Sequence, residues 1–323
     1  MAERAGETIL HGLVAAGVIL ALLRLWPGDP PGLRLRFQLM ALASPAVLAP
    51  ALWFLAPERA SAAFHDEWAL YSTRRLAQVR LAGLGLDGWL GGGLALAGSL
   101  LFLRDLGPFL LDRWGKTRHT GGEPCDQALV EVVREISRAL GVAPPSIACV
   151  RAEGPLLLTV GLWRPRIVAS RALLERLAPD ELRAALAHEV AHVAKRDPLL
   201  GAGLMGLRAL LFFNPAVQVM ARAAVQEMER RADDVAVTAT GAPETLVRGL
   251  LTGYREGEGR RTTARGWPVV GGLGRLLDRF RVHSIEARCR RLVAGAEKPA
   301  PPHGGVRLGL TSVALAALLY LVV

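Results

Sequence analysis

Apolar residues are concentrated in four blocks of the 323-residue chain, at residues 9–26, 38–56, 81–103 and 308–323. A helix needs about 20 apolar residues to cross a hydrocarbon core of about 30 Å, and the blocks approach that length. The second block contains prolines and the third is rich in glycine, which spanning helices tolerate when neighbouring helices pack closely. The pattern therefore predicts an α-helical membrane protein with about four transmembrane helices.

Between the third and fourth blocks the pattern becomes that of a folded domain. Residues 127–140 carry apolar positions at helical spacing, and residues 146–152, 155–163 and 166–170 have the composition of short strands. These runs predict a hairpin or a three-stranded sheet. Further helices follow, and the last of them is a basic helix over residues 285–293.

The apolar run at residues 199–213 is too short to be a fifth span. As a helix it would be about 22 Å long, against a bilayer core of about 30 Å. We therefore expect it to be buried in the folded domain or to lie at the membrane surface. The domain boundaries that follow are a membrane region at 1–103, a mainly α (α+β) domain at 104–305 and a last span at 306–323.

One helix of the folded domain lies between two prolines, with Pro179 at its first position and Pro198 after its end. Its sequence HEVAH places His188 and His192 four residues apart, so they lie one above the other, about 6 Å apart. That spacing allows two imidazoles to bind one tetrahedral zinc ion, with Glu189 beside the open coordination position. An ordinary helix that carries two histidines is the alternative interpretation.

The next helix offers a third zinc ligand. Asn214 and Pro215 form a helix-start signal, and Glu229 and Asp233 follow four residues apart. Glu229 would complete a His/His/Glu site, and Asp233 would orient a ligand by a hydrogen bond. For Asp233, and for Asp197 at the end of the preceding helix, a solvated carboxylate is the alternative.

Composition agrees with a membrane location. Hydrophobic residues make up 51% of the chain, the mean hydropathy is +0.30 and the formal net charge is +10. The arginines lie mostly beside the apolar blocks and in loops, and no nucleic-acid motif accompanies them. Attraction to the lipid bilayer explains the charge, and we expect no binding of nucleic acid.

The basic residues also predict an orientation. If the 104–305 domain is cytoplasmic, that side collects the larger number of Lys and Arg residues near membrane ends, as the positive-inside rule requires. These residues are Arg104, Arg113, Lys116, Arg118, Lys298 and Arg307. The opposing loop would then place four arginines outside, against the rule, namely Arg59, Arg74, Arg75 and Arg80.

The three cysteines are Cys125, Cys149 and Cys289. Their number is odd, their spacing is wide and no C-x-x-C occurs, so they resemble neither a disulfide framework nor a thiolate zinc site. We expect all three to be free and buried, as small apolar residues in a reducing compartment.

The motif residues resemble a known family. HEVAH with Asp197, then Asn214-Pro215 and the ERRAD sequence at 229–233, look like the zinc-peptidase pattern of membrane-embedded gluzincins. Two groups share it, the BlaR/MecR-type regulatory metallopeptidases and the HtpX/CAAX-protease type. The sequence of residues 161–192 is similar to the BlaR/MecR type.

This resemblance implies a zincin-like metalloprotease domain that uses Zn²⁺. Glu189 would be the general base, and Asp233 and Asp197 would support the metal site. The zinc ligands would be His188, His192 and Glu229.

Residues 283–288 are loosely similar to a late His/Arg motif of the HtpX type. The similarity adds His283 and Arg288 as contacts of the substrate or the transition state. Taken from the residues alone, the three arginines of this region predict a solvated or membrane-facing basic face; they are Arg288, Arg290 and Arg291.

The predicted reaction is hydrolysis of peptide bonds in a protein substrate. The first expectation is a BlaR/MecR-like regulatory protease that cleaves a cytoplasmic partner such as a transcriptional repressor in signal transduction. The alternative is an HtpX-like protease that degrades damaged membrane proteins. A non-enzymatic membrane scaffold is the alternative of another class. β-Lactam-sensing BlaR/MecR proteins carry a penicillin-binding domain after the last span, and this chain has none, so we expect no direct sensing. The substrate, the activating signal and the oligomeric state are not predictable from the sequence.

The motif helix is too charged to lie within lipid, because Glu181, Arg183, Lys195 and Arg196 flank the histidines. We therefore expect the site at the surface of the bacterial inner membrane, in a multi-pass protein. The strand sequence TVGLWRPRIVAS, at residues 159–170, is expected to align an extended substrate by edge pairing.

Overall fold

The parts of the chain that a computed structural model describes are residues 2–70, 79–116, 123–151, 155–261, 285–295 and 303–322. The chain divides into two compact units, each discontinuous in sequence. Unit 1 comprises residues 1–114, 203–227 and 298–323. Unit 2 comprises residues 115–202 and 228–297.

The described residues are mainly helical. The helices are α1 (Ala2–Leu25), α2 (Pro31–Ala43), α3 (Ala49–Leu55), α4 (Leu86–Lys116), α5 (Gln127–Ala139), α6 (Arg171–Leu174), α7 (Pro179–Ala194), α8 (Asp197–Leu210), α9 (Pro215–Thr240), α10 (Pro243–Arg261), α11 (residues 285–293) and α12 (Gly304–Tyr320). The strands are β1 (Arg80–Leu81), β2 (Leu84–Gly85), β3 (Glu123–Pro124), β4 (Ser146–Val150), β5 (Leu157–Val160) and β6 (Arg166–Ser170).

Two helical stretches of unit 1, Arg4–Leu25 and Pro31–Leu55, are long and apolar enough to cross a membrane. They correspond to the first two apolar blocks. The third and fourth blocks correspond to shorter apolar helices, Gly88–Arg104 and Gly304–Tyr320. The structure therefore supports two candidate spans among its described residues, and the total of four stays a prediction.

The second candidate span stays helical through its prolines because its middle forms a π-helical turn, which has more residues per turn than an α-helix. Ser44–Leu48 is a π-helical segment, in which the backbone N–H of Ala49 donates to the carbonyl of Ser44, five residues back. Pro45 has no N–H to donate, and the wider turn accommodates it. The Met40 carbonyl accepts from both the backbone N–H and the hydroxyl of Ser44, the hydroxyl at 3.0 Å.

The third apolar block does not begin as a helix, which corrects the predicted start at residue 81. Strands β1 and β2 form an antiparallel hairpin there. Its turn holds Ala82 at φ 49° and Gly83 at φ 83°. Two successive left-handed residues reverse the chain and stop a helix, so α4 begins at Leu86.

Unit 2 contains a four-stranded sheet in the order β3-β4-β6-β5. The three predicted strand runs are present, with β5 and β6 in an antiparallel hairpin. Strand β4 runs parallel to β6, an orientation that the sequence did not predict. The short strand β3 was missed, because its two residues gain strand geometry only by pairing with β4. At the other end of the order, β5 is an edge strand.

The predicted helices of unit 2 are present. Helix α5 begins at the N-cap Asp126, whose side chain accepts from the backbone N–H of Ala128 at 3.4 Å, and α11 covers the predicted residues 285–293. One face of α7 packs into the core of the unit, where Ile167, Leu186 and Val190 are fully buried. The core therefore joins the sheet to the helix that carries HEVAH.

Cys125 and Cys149 form a disulfide, with their Cα atoms 5.1 Å apart. The prediction of three free thiols was therefore wrong for this pair, and Cys289 is the free cysteine. Cys149 lies on β4 and Cys125 directly follows β3, so the pairing of these strands brings the sulfur atoms together. Sequence spacing alone does not reveal such pairing.

The helix expected at residues 199–213 is present as α8. Pro198 does not simply end the preceding helix, as predicted, but is the second residue of α8, where its missing N–H costs nothing. From residue 203 onward this region belongs to unit 1 together with the candidate spans. The residue ranges of the two compact units therefore differ from the predicted domain boundaries at 1–103, 104–305 and 306–323. Those domain boundaries stay predictions.

Candidate metal centre

Helix α7 is fixed at its start and along one face. Glu181 Oε2 accepts a hydrogen bond from the backbone N–H of Ala178 at 3.2 Å, next to Pro179 in the first turn. Burial of Leu186 and Val190 sets the rotation of the helix about its axis. The neighbouring face, which carries both histidines, is thereby fixed as well.

The imidazoles of His188 and His192 converge on one point. Their Nε2 atoms are 3.1 Å apart, and the two rings meet edge to face with centroids 4.7 Å apart. Two nitrogens bound to one tetrahedral zinc at about 2.0–2.1 Å would be roughly 3.3 Å apart. A single zinc ion therefore fits between them.

Glu229 reaches the same point from α9. Its Oε2 atom lies 3.5 Å from His188 Nε2, and its Oε1 atom lies 3.7 Å from His192 Nε2. One ligand atom from each of the three residues lies within 4.8 Å of the others. Asn214 starts this helix as predicted, since its Oδ1 accepts from the N–H of Ala216 at 3.1 Å.

A carboxylate holds the far side of each imidazole. Asp233 Oδ1 lies 3.1 Å from His188 Nδ1, and Asp197 Oδ2 lies 2.8 Å from His192 Nδ1. Asp197 also accepts from the guanidinium of Arg231. At His192 the hydrogen bond between Nδ1 and Asp197 leaves the Nε2 lone pair free for a metal, which is how carboxylates orient metal-binding histidines. At His188 the Asp233 carboxylate makes an ion-pair contact, and Nδ1 forms no hydrogen bond. The structure thus brings both predicted supporting acids beside the two histidines.

Arg288 is buried, which corrects the prediction of a solvated or membrane-facing basic face. Its Nε and Nη2 atoms donate to Asp233 at 2.8 and 2.6 Å, and its Nη1 lies 2.9 Å from Glu229 Oε2. Arg291 pairs with Asp234, whereas the exposed Arg290 pairs with Glu286. His283, predicted beside Arg288 as a substrate contact, lies outside the described residues.

Glu189 lies beside the three candidate ligands and is 8% exposed. The hydroxyl of Thr159, on β5, lies 2.8 Å from its Oε2 atom. Thr159 was not singled out from the sequence. The only signal was a hydroxyl residue in a run of strand-forming apolar residues.

A cavity of about 600 Å³ opens at these residues. Its polar lining includes His188, Glu189, His192, Glu229 and Arg288. Its apolar lining comes from β5 and from helices α6, α7, α9, α10 and α11, through residues such as Leu157, Leu173, Leu246, Leu250 and Ile285. The cavity is large enough for a short stretch of polypeptide beside the polar cluster.

The electrostatics of the cluster are those of closely paired charges. Burial opposes a charge on His188, but the carboxylates of Asp233 and Glu229 outweigh it and raise the pKa of His188 to about 10. Burial also opposes charge on both acids, yet contacts with His188 and Arg288 hold the pKa values of Glu229 and Asp233 well below the usual range. A proton on His188 therefore balances part of the carboxylate charge in the metal-free site.

The donor set fits zinc. The two imidazole Nε2 atoms face each other at 3.1 Å and a carboxylate lies within reach of both, so one metal ion can take the place of the proton between them. Two histidines and a glutamate are a ligand set that catalytic zinc sites use, with the fourth position left for water or substrate. The burial of Asp233 and its contact with His188 supply the supporting contact that such sites require.

Comparison with known proteins locates a peptidase segment in the chain. The family model described as BlaR1 peptidase M56 matches residues 120–244. A curated relative, Protease HtpX of Alcanivorax borkumensis, is 33% identical over 143 residues, which is 38% of this chain and 47% of the relative.

Two further relatives carry the same name. Protease HtpX of Pseudomonas aeruginosa (strain PAO1) is 31% identical over 149 residues, 41% of this chain and 50% of the relative. That of Pseudomonas entomophila is 36% identical over 95 residues, 28% of this chain and 30% of the relative. The chain spans about half the length, or less, of these curated relatives.

These findings confirm the resemblance to membrane zinc metallopeptidases of the BlaR and HtpX types. The matched segment includes six of the predicted site residues, namely His188, Glu189, His192, Asp197, Glu229 and Asp233. Arg288 and the two candidate spans lie outside it. The individual roles of the site residues stay predictions.

We expect zinc binding to release protons. At pH 8 the raised pKa keeps His188 protonated in the metal-free protein, whereas a zinc ligand must be neutral. Binding should release about one proton per zinc, and the apparent affinity should rise roughly tenfold per pH unit until pH approaches 10. Calorimetry at pH 8 in two buffers of different ionisation enthalpy measures the release. Equal heats in both buffers would contradict the prediction.

Asp233→Asn should weaken zinc binding by about 10- to 100-fold, because it removes the carboxylate behind His188. Asp234→Asn is the matched control, since the adjacent Asp234 pairs with Arg291 rather than with a candidate ligand. Its zinc affinity should stay within about twofold of the wild type. Titration against a chelator of known affinity measures both. The same loss in both variants would show that Asp233 has no special role at the metal.

Proposed function

We propose that this chain, a membrane-associated metallopeptidase of the type that the BlaR1 peptidases and HtpX proteases represent, is a zinc-dependent endopeptidase. The observation that carries the proposal is the convergence of His188, His192 and Glu229 within 4.8 Å, with Glu189 beside them on the wall of one cavity. A helix with two unrelated histidines would not place a third ligand there and a carboxylate behind each ring.

The chain's own residues provide the proton transfers and the orientation. Zinc, when held by His188, His192 and Glu229, supplies a water of lowered pKa and a Lewis acid for the scissile carbonyl. Glu189 takes a proton from the attacking water and delivers it to the leaving amine. Asp233 and Asp197 keep the imidazoles oriented throughout. The apolar walls of the cavity limit the access of other water molecules.

The edge strand β5 is the proposed docking site for the substrate backbone. It pairs with β6 on one side, and Leu157, Leu158 and Thr159 line the cavity. An extended peptide that adds to the free edge would lie along the wall that also carries Glu189. This arrangement supports the sequence-based expectation of edge pairing by TVGLWRPRIVAS.

The substrate class is the finer part of the proposal. The match to a BlaR1 peptidase model is compatible with cleavage of a regulatory partner such as a transcriptional repressor. The three relatives described above are each named Protease HtpX, and this similarity favours quality control of membrane proteins over the regulatory role that the sequence pattern put first. The intact set of His188, Glu189, His192 and Glu229 counts against a non-enzymatic scaffold.

We place the chain in the bacterial inner membrane with four spans and a cytoplasmic peptidase domain. Two candidate spans and the HtpX relatives support the membrane location. The distribution of basic residues at membrane ends supports the cytoplasmic side. The Cys125–Cys149 disulfide is an opposing observation, because disulfides persist in oxidising compartments. In the cytoplasm the same two residues would be thiols.

Glu189→Gln should abolish proteolysis without loss of zinc. The amide keeps the shape of the side chain but takes up no proton, so kcat should fall by about 10²- to 10⁴-fold. Zinc content, measured by atomic spectroscopy, should equal that of the wild type, and cleavage of quenched fluorescent peptides and of casein gives the rates. Glu175→Gln, an exposed change of the same kind outside the cavity, serves as the control. Equal cleavage by wild type and Glu189→Gln would refute the mechanism.

Orientation can be measured by thiol labelling in intact cells. In a background with Cys125, Cys149 and Cys289 each replaced by serine, a cysteine at the exposed position Glu175 should react with a membrane-impermeant maleimide only after the cells are permeabilised. A cysteine at the exposed position Glu67, in the loop predicted outside, should react in intact cells. Labelling of position 175 in intact cells would place the peptidase domain outside, in agreement with the disulfide.

A further inference from the structure

Strand β5 carries a polar residue on a face that is otherwise apolar. Thr159 stands opposite Ile167 of β6 in the antiparallel pairing, and Leu157 stands opposite Ala169. Cross-strand partners share a face of the sheet, and Ile167 and Ala169 are fully buried. Valine has nearly the same shape as threonine and suits a strand as well. Packing and strand formation therefore do not require threonine rather than valine at position 159, and the difference between the two is the hydroxyl group.

Within the described residues, the hydrogen-bond contacts of the Thr159 hydroxyl are all with Glu189. Thr159 Oγ1 lies 2.8 Å from Glu189 Oε2 and 3.2 Å from the Glu189 carbonyl oxygen. The carbonyl belongs to α7, where it already accepts a helical hydrogen bond. A hydroxyl has one proton to donate, and the shorter contact is to the charged acceptor, so the hydrogen bond goes to the carboxylate.

We infer that Thr159 is the positioning residue of the general base, an inference that rests on the proposed function. By donating to Oε2, Thr159 fixes the rotamer of Glu189 on the cavity wall before a substrate binds. It also leaves Oε1 as the oxygen that exchanges a proton.

The hydrogen bond is compatible with both protonation states of Glu189. A carboxylate accepts at both oxygens, whereas a protonated carboxyl group accepts best at the oxygen without hydrogen. Because Thr159 donates to Oε2 in each state, the proton from the attacking water goes to Oε1 and leaves from Oε1 to the amine. The base therefore need not rotate between the two transfers. A displacement of about 1 Å in such a group can reduce a rate by about 10²-fold.

The test compares threonine, serine and valine at position 159 of the full-length, zinc-loaded protein. Thr159→Val should lower kcat by about tenfold or more, with KM within about twofold. Thr159→Ser, which keeps the donor, should restore kcat to within about threefold of the wild type. In a Glu189→Gln background, Thr159→Val should cause no further loss, because the group that it positions is already inactive.

A second measurement does not depend on activity. In the metal-free protein, Thr159→Val should lower the unfolding temperature, because it leaves the Glu189 carboxylate without its donor. The loss should be smaller in the Glu189→Gln background if the two side chains interact directly. Thr240→Val is the matched control, since the Thr240 hydroxyl donates to the Ala236 carbonyl of its own helix at 2.8 Å and does not line the cavity. It should leave kcat unchanged.

The outcomes separate this inference from the proposed function. If the wild type cleaves and Glu189→Gln does not, but Thr159→Val is as active as the wild type, the positioning role is wrong while the proposed function stands. Equal losses of kcat in the serine and valine variants would also overturn it, since shape rather than the donor would then matter. A wild type that binds zinc but cleaves none of the substrates would count against the proposed function. The hydrogen bond between Thr159 and Glu189 would then have no catalytic role either.

Discussion

The buried ion pair between Arg288 and Asp233 is the contact on which the rest of the site depends. Asp233 is fully buried and Arg288 nearly so, and breaking such a pair by removing one partner costs about 3–5 kcal/mol. The same guanidinium reaches Glu229, and the same carboxylate reaches His188. One ion pair thus fixes two of the three candidate zinc ligands. It also joins α11 to α9, although 55 residues separate the paired side chains.

This network explains why several carboxylates can lie close together around two histidines. Each contacts a donor: Asp197 accepts from Arg231, Asp233 and Glu229 share Arg288, and Glu189 accepts from Thr159. Contacts with His188 and Arg288 hold the pKa values of Glu229 and Asp233 well below the usual range, so these two acids stay ionised side by side.

Local sequence predicted the elements that local interactions control. Helix-start signals located α7 and α9, and runs of strand-forming composition located the β5–β6 hairpin. Spacing of four residues placed His188 and His192 together, and the helix that begins at Asn214 and Pro215 offered Glu229, which the resemblance to gluzincins also implied. Long-range contacts were beyond reach, because nothing in the spacing indicates that Cys125 meets Cys149 or that β3 pairs with β4. Thr159 was missed for the same reason, being 30 residues from its partner.

Arg288 shows how the two sources of prediction differ. Its neighbours in sequence suggested a solvated basic surface, since three arginines occur within four positions. The weak similarity to a late His/Arg motif pointed instead to the site, and the structure places it there. A buried arginine needs carboxylates within reach, and their position is a property of the folded unit rather than of a sequence window.

Among the described residues β5 has no strand paired to its outer edge, and this has a consequence for selectivity. Backbone hydrogen bonds to an edge strand are made by any extended polypeptide, whatever its side chains. A helix or a paired strand has already used the same N–H and C=O groups and has none to offer. Under the proposed function, the conformation of a segment would therefore decide its susceptibility before its sequence does. Such an enzyme would cleave a locally unfolded protein and spare the folded form of the same protein, without recognising a specific amino-acid sequence in either.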